Sequence, residues 1–342
     1  PAEPLIGEQF CFDANFSNAG GNEGYGPYIL SVAAPGVRLP SVNFVDIDPG
    51  ITVIGQFDAS GELADPISGT PLFGVEGGIA GFARYPVGAV ETSTPALPLE
   101  VCGVLEPGVA IGVPLPVEFT PGFEFGDTPT GTNGAILGTS LQSTVTPQLA
   151  RVSKTSTAPE GERPPGPSHP FEYRYNLDVS DQVAIDQVTL TDDLPAGIQW
   201  TGGPIALSAP LGTNCRVDQQ PNSPPTPGGT VTVACDEVVG TAGSADLAVS
   251  VPVYVADILD ETLPDSELVA NTVIATYDFD GTTYTPQASD EVRVLHAALQ
   301  KSVVGSAAPG NRLTYQLRFQ LTDFPETPPG AGADSFLVTD LL

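Results

Sequence analysis

ARVSKTSTAPEGERPPGPSHPFEYRYNLDVSDQVAIDQVTLTDDLP, residues 150–195, returns in outline from residue 298 as ALQKSVVGSAAPGNRLTYQLRFQL and closes there in FLVTDLL. Each copy places a lysine in an opening strand, then a Pro/Gly-rich turn, then an alternating strand (FEYRYNLDV, LTYQLRFQL), then an apolar strand running into V-T-L-T-D or L-V-T-D. Lys154 and Lys301 are the only lysines in the chain. Strict alternation of apolar and polar residues is the period of a half-buried strand. The repetition therefore predicts modular β architecture, and nothing in it points to turnover.

Outside this stretch the rest of the sequence agrees. From residue 1 to 149 short apolar runs such as EQFCFDANF, YILSVAA, ITVIGQF and LPLEVCGVL are separated by Gly, Pro, Asn and Asp, the punctuation of an all-β chain. With 38 Gly, 36 Pro and no Met, long helices have no room to form. The expected architecture is all-β, with tandem immunoglobulin-like β-sandwiches. Residues 1–149 read as a disulfide-bonded leader sandwich, 150–296 as a complete repeat sandwich, and 297–342 as the start of a further one. The Asp-Gly of DFDGTTY, at Asp280 and Gly281, predicts a tight hairpin turn.

A length of 342 residues is enough for two or three domains with cores of their own. The formal charge of −30 and pI near 4.1 exclude nucleic acid and anionic membrane as partners, because those surfaces select basic patches. No apolar run approaches the roughly 20 residues of a membrane helix. The chain opens at Pro1 without a basic and then apolar run, as a processed secreted polypeptide would. At the other end Leu342 follows directly on an apolar run, so a longer parent protein is expected.

Cys11 with Cys102, and Cys215 with Cys235, read as two disulfides in an oxidising, extracellular compartment. The second pair brackets a hairpin with a long polar tip. Neither pair has C-x-x-C spacing, and His169 and His296 are remote from every cysteine, so zinc is not expected.

Residues 152–294 resemble a bacterial surface-repeat family known as domain of unknown function eleven. The resemblance is carried by Lys154, the Tyr173 strand, V-T-L-T-D-D-L-P-A-G-I at 188–198, G-S-A-D-L-A-V-S-V-P-V at 243–253 and A-N-T-V-I-A-T-Y at 270–277. It implies a long extracellular chain of sandwiches serving as stalk, adhesin or matrix. Self-association or continuation into further repeats is then the expected partnership, with a surface glycan or protein as a ligand. The EGERPPGPSHP insertion and the incomplete second copy depart from the family's pattern.

The chemistry these residues suggest is an intramolecular isopeptide bond between Lys154 and Asn271, assisted by Asp192. A lysine buried among apolar groups loses the hydration of its charged form and becomes a neutral nucleophile. The Asn271 side chain supplies the electrophile, and a protonated acid polarises its carbonyl as ammonia leaves. Asp193 competes with Asp192 for that role, since strand alternation separates them only weakly. Lys301 and Asp340 hold the matching positions of the second copy, which has no counterpart of Asn271. The alternative is that Lys154 extends to the surface, Asp192 caps a turn and Asn271 bonds backbone.

No G-x-S-x-G, H-E-x-x-H or P-loop is present, and no specific carboxylate pair can be selected for glycoside hydrolysis. Enzymatic function is not expected. Trp200 and the tyrosines of FEYRY read as core packing ahead of sugar stacking. No cofactor is required, and calcium is the cofactor to weigh for so acidic an extracellular chain. Asp13, Asn15 and Ser17 mimic the start of a calcium loop, yet its twelfth position is Gly24 where a bidentate Glu belongs.

Overall fold

The computed structural model describes residues 3–44, 51–58, 62–85, 88–92, 96–158, 161–210, 213–243, 245–256, 267–295, 297–304 and 314–323. Contacts group them into two compact units, one formed by Pro1–Arg151 with Ser180–Val183 and the other by Val152–Val179 with the chain from Ala184 onward. Among the described residues, all regular elements longer than a turn are strands.

The first unit holds β1 (Gln9–Phe16), β2 (Gly24–Ala33), β3 (Val37–Phe44), β4 (Thr52–Gln56), β5 (Glu62–Ala64), β6 (Pro71–Phe73), β7 (Ile79–Arg84), β8 (Ala89–Val90), β9 (Leu97–Leu105), β10 (Leu115–Gly126), β11 (Ile136–Leu137) and β12 (Leu141–Val145). A three-stranded sheet in the order β1-β9-β3 faces a larger one ordered β11-β10-β2-β7-β4. Phe10, Phe16, Ile29, Leu99, Val101, Val117 and Phe119 fill the space between them. Cys11 sits directly opposite Cys102 in the β1–β9 ladder, and the two are bonded. An early strand is thereby tied to a late one, as the sequence predicts.

The second unit holds β13 (Ala150–Ser156), β14 (Glu162–Arg163), β15 (Phe171–Val179), β16 (Ala184–Leu194), β17 (Ile198–Trp200), β18 (Ala206–Ser208), β19 (Cys215–Gln219), β20 (Gly229–Val239), β21 (Leu247–Val255), β22 (Leu268–Phe279), β23 (Thr282–Tyr284) and β24 (Gln287–Val294). Its sheets run β13-β15-β21-β17 and β14-β24-β22-β16-β20-β19. On β15 the residues Phe171, Tyr173, Tyr175, Leu177 and Val179 are buried and alternate with more exposed ones; on β21 the alternation is complete across nine residues. This is the signature of two sheets packed face to face around one core. Cys215 and Cys235 are bonded across the β19–β20 hairpin. Asp280 and Gly281, both at positive φ, make the two-residue turn between β22 and β23, the geometry that Asp-Gly favours.

A last hairpin, β25 (Ala297–Val304) and β26 (Thr314–Leu321), pairs only with itself among the described residues. Tyr315, Leu317, Phe319 and Leu321 are 39–53% exposed.

Candidate functional site

Inside the second sandwich, three strands each place a polar side chain where the alternation reserves a core position. On β13 the buried residues are Ala150, Val152 and Lys154, so Lys154 follows the parity of its apolar neighbours into the core. On β22 Asn271 takes the inward parity of Val269, Val273 and Ala275. Lys154, Asp192 and Asn271 are 5%, 1% and 2% exposed. The surface alternative for Lys154 is thereby overturned, because its strand turns that position inward.

The choice between Asp192 and Asp193 turns on a local irregularity in β16. Ile185 is buried, Asp186 and Gln187 are both exposed, and burial resumes at Val188, Leu190, Asp192 and Leu194. Gln187 has φ 51°, and the ladder with β22 shifts by one residue between Asp186 and Thr189. A one-residue slip moves every following side chain to the other face. Without it, the parity of Ile185 would carry Asp193 into the core; with it, Asp192 enters. Asp193 instead accepts a hydrogen bond from the Thr230 hydroxyl at the surface, 2.6 Å.

The three side chains meet on one oxygen. Lys154 Nζ donates to Asp192 Oδ2 at 2.6 Å and Asn271 Nδ2 donates to the same oxygen at 3.1 Å. The Tyr175 hydroxyl donates to it as well. Neither Lys154 nor Asp192 exposes any of its side chain to solvent. Burial pushes the Lys154 ammonium down to about 8, against the opposing pull of Asp192 and, more weakly, Asp290. Asp290 stands opposite Asn271 in the β22–β24 ladder. Two rings of β15 flank the amine: Nζ lies 4.5 Å from the Tyr173 centroid and 4.8 Å from that of Tyr175.

Around this centre several buried polar atoms have no hydrogen-bond partner, among them Asn271 Oδ1, Asp192 Oδ1 and the Tyr173 hydroxyl. The Tyr173 hydroxyl nevertheless faces the Asn271 amide closely enough for that group to draw its pKa down, while burial first, and then Asp192 and Asp290, push it up. Sequence reasoning missed the two tyrosines as members of the site. Their spacing of two on an alternating strand puts both rings on Lys154's side of the core, a signal that core packing also produces.

The other expected residues lie apart. Asp13 and Asn15 fall inside β1 and Ser17 just beyond it, all three exposed; an extended strand spaces alternate side chains by almost 7 Å (roughly twice the rise per residue), so they do not wrap as a calcium loop must. Among the described residues, the one group of three close potential metal ligands is Cys11, Glu100 and Cys102, and its sulfurs are joined in the disulfide. Lys301 stands opposite Leu317 in the β25–β26 ladder. Asp340 and His296 lie outside the described residues. Trp200 is 6% exposed and belongs to the core. In the first unit a cavity of about 540 Å³ opens beside β10, lined by Phe16, Ile29, Phe119 and Phe123 together with the more exposed Ile136 and Leu141.

No family model matches the chain, and no curated protein does. Solved structures similar to it include the major pilin subunit of Bacillus cereus, at 9% identity and TM-score 0.33, covering 86% of this chain and 71% of that one. Another is the C-terminal domain of the Streptococcus pyogenes antigen I/II-family protein AspA, at 11% identity and TM-score 0.28, covering 86% and 94%. A cohesin module from a Clostridium perfringens family 33 glycoside hydrolase covers 43% of this chain and 97% of its own, at 14% identity and TM-score 0.29.

Proposed function

We propose that this chain is a non-enzymatic structural part of an extracellular bacterial surface assembly, a stalk, matrix or filament, whose second sandwich is locked by an isopeptide bond between Lys154 and Asn271. One observation carries this: Lys154 and Asn271 both donate to a single, fully buried oxygen of Asp192. A buried ion pair adds little to stability beyond what apolar residues would give. A lysine in the core is therefore poorly explained by stability, whereas a lysine beside a side-chain amide and an acid has a reaction open to it.

In that reaction the uncharged Nζ attacks Cγ of Asn271. A Cγ–Nζ bond forms, the Cγ–Nδ2 bond breaks and ammonia departs. No oxidant and no cofactor is needed. The product joins β13 to β22, residues that belong to opposite sheets, so the two halves of the sandwich can no longer separate. Such a lock suits a protein that bears load or meets proteases outside the cell, where both disulfides also fit.

The intact mass of the oxidised chain is expected to fall one ammonia below the mass calculated from its sequence with both disulfides formed, and peptide mapping should recover Lys154 joined to Asn271. Lys154→Ala should restore the calculated mass apart from the substitution. An unshifted wild-type mass would remove the crosslink.

The runner-up is an adhesin or glycan-binding module. The cavity of the first unit favours it, being within the usual few hundred Å³ of a ligand site. Its aromatic residues Phe16, Phe119 and Phe123 stand on strands and pack into the core, which fits an apolar guest better than a sugar.

A further inference from the structure

Buried polar atoms without partners are rare in folded proteins, and three of them gather around Asn271: its own Oδ1, the Tyr173 hydroxyl and Asp192 Oδ1. A phenylalanine would fill the place of Tyr173 without burying an unpaired hydroxyl. Tyr175, two residues along β15, differs in that its hydroxyl is already engaged by Asp192. Tyr173 therefore has a donor held in reserve.

We propose that Tyr173 is a catalytic residue of the Lys154–Asn271 crosslink, its hydroxyl and the Asp192 acid forming a two-donor oxyanion hole around the Asn271 amide oxygen. This rests on the crosslink proposed above. The terminal amide torsion of asparagine is soft and nearly two-fold, so a half-turn exchanges Oδ1 and Nδ2. Oδ1 then occupies the place where Nδ2 now stands, 3.1 Å from Asp192 Oδ2, on the side of the amide that faces Tyr173.

An ionised Asp192 would repel that oxygen, so the half-turn goes with transfer of a proton from Lys154 to Asp192 along their 2.6 Å hydrogen bond. The transfer creates both reactive forms at once: an uncharged amine and an acid able to donate. As Nζ bonds to Cγ, the carbonyl electron pair moves onto Oδ1, where the hydroxyls of Asp192 and Tyr173 meet the charge. Preorganised donors at the place where charge develops are the largest single source of rate in acyl transfer. Collapse expels Nδ2 as ammonia; Asp192 takes a proton from the attacking nitrogen as it delivers its own to the leaving one. One secondary amide and one ammonia result.

The test is cell-free synthesis of the full chain, quenched in denaturant at intervals, with the fraction that has lost ammonia read by mass. Tyr173→Phe is expected to slow that loss roughly a hundredfold to a thousandfold, since one oxyanion donor of two is removed. A second measurement separates catalysis from packing: in a Lys154→Ala background, which cannot crosslink, Tyr173→Phe should leave the melting temperature unchanged or raise it, because the hydroxyl donates no hydrogen bond in the resting site and its removal relieves a buried polar group. Crosslinking of Tyr173→Phe at the wild-type rate would overturn this role alone. A lower melting temperature in the Lys154→Ala background would make the hydroxyl structural and overturn it too. A wild-type chain that never loses ammonia overturns the crosslink itself and the role of Tyr173 with it.

Discussion

Lys154 and Asp192 share a proton across 2.6 Å, and that sharing fixes how crosslinking responds to pH. The ammonium form with ionised Asp192 and the amine form with protonated Asp192 carry the same total charge, so their ratio does not change with pH while the pair keeps its one proton. The pair loses that proton as pH rises through the depressed Lys154 value of about 8, lowered by burial and held up in part by Asp192 and Asp290. Tyr173 and Tyr175, the other titratable groups against the amine, are pushed above the ordinary phenol range by burial and by Asp192, so they stay protonated there. The crosslinking rate is expected to be level through neutral pH and to fall above about 8. A rate that keeps climbing beyond that point would mean that free amine alone limits the reaction and that Asp192 gives no proton. At this scale the sequence exposed Lys154, because it is one of only two lysines and both hold matching places in the repeat. It favoured Asp192 over Asp193 only weakly and hid Tyr173, because neither the slip at Gln187 nor an unpaired hydroxyl leaves a mark on composition or period.

Strand boundaries were the most legible feature of the chain, since apolar alternation and Gly/Pro punctuation mark them directly: FEYRYNLDV is β15 as written and the Asp280–Gly281 turn closes the β22–β23 hairpin. What alternation does not reveal is how elements are fastened at their ends. Asp246, 1% exposed, is an example: its Oδ2 accepts the Val179 amide at 2.9 Å, and its Oδ1 accepts the Thr241 amide at 2.8 Å and the Thr241 hydroxyl at 2.6 Å. One carboxylate just before β21 thus holds the end of β15 and the segment after β20. In sequence it is only an aspartate in a polar turn. Asp246→Ala leaves two backbone donors without an acceptor, at about 1–3 kcal/mol each, so a loss of roughly 2–6 kcal/mol is expected. Urea unfolding in the Lys154→Ala background, where no crosslink can mask the change, measures it. A midpoint unmoved by the substitution would show that water satisfies those amides and that Asp246 fastens nothing.

For the whole molecule, the repeat at residues 150–195 and 298–342 was the feature that disclosed modular architecture, and its first copy is a closed sandwich with a core of its own. The described part of the second copy is the β25–β26 hairpin, in which Tyr315, Leu317, Phe319 and Leu321 recur at every second position, at the places that Tyr173, Tyr175, Leu177 and Val179 hold in β15. In β15 the second sheet covers those positions; in β26 they are 39–53% exposed. The end of β26 is fastened to the sandwich, with the Leu321 carbonyl 2.7 Å from His169 Nε2 and the Thr322 hydroxyl donating to the Pro165 carbonyl, but among the described residues β25 and β26 pair with no other strand, and such edges can pair with strands of another copy. Full burial of a large apolar side chain is worth about 1.5–3 kcal/mol, so covering four half-exposed ones yields roughly 3–6 kcal/mol. Association itself costs at least about 4 kcal/mol. The balance predicts weak, reversible self-association rather than an obligate dimer, with strand pairing supplying any surplus. By light scattering, the average mass of the wild-type chain should rise with concentration. Leu317→Asp with Phe319→Asp should flatten that rise while leaving the ammonia loss at Lys154 and Asn271 intact, because those residues lie in a separate core. A wild-type chain that stays monomeric at every concentration would show that this face is not used between copies, and would leave the assembly to be built from other surfaces.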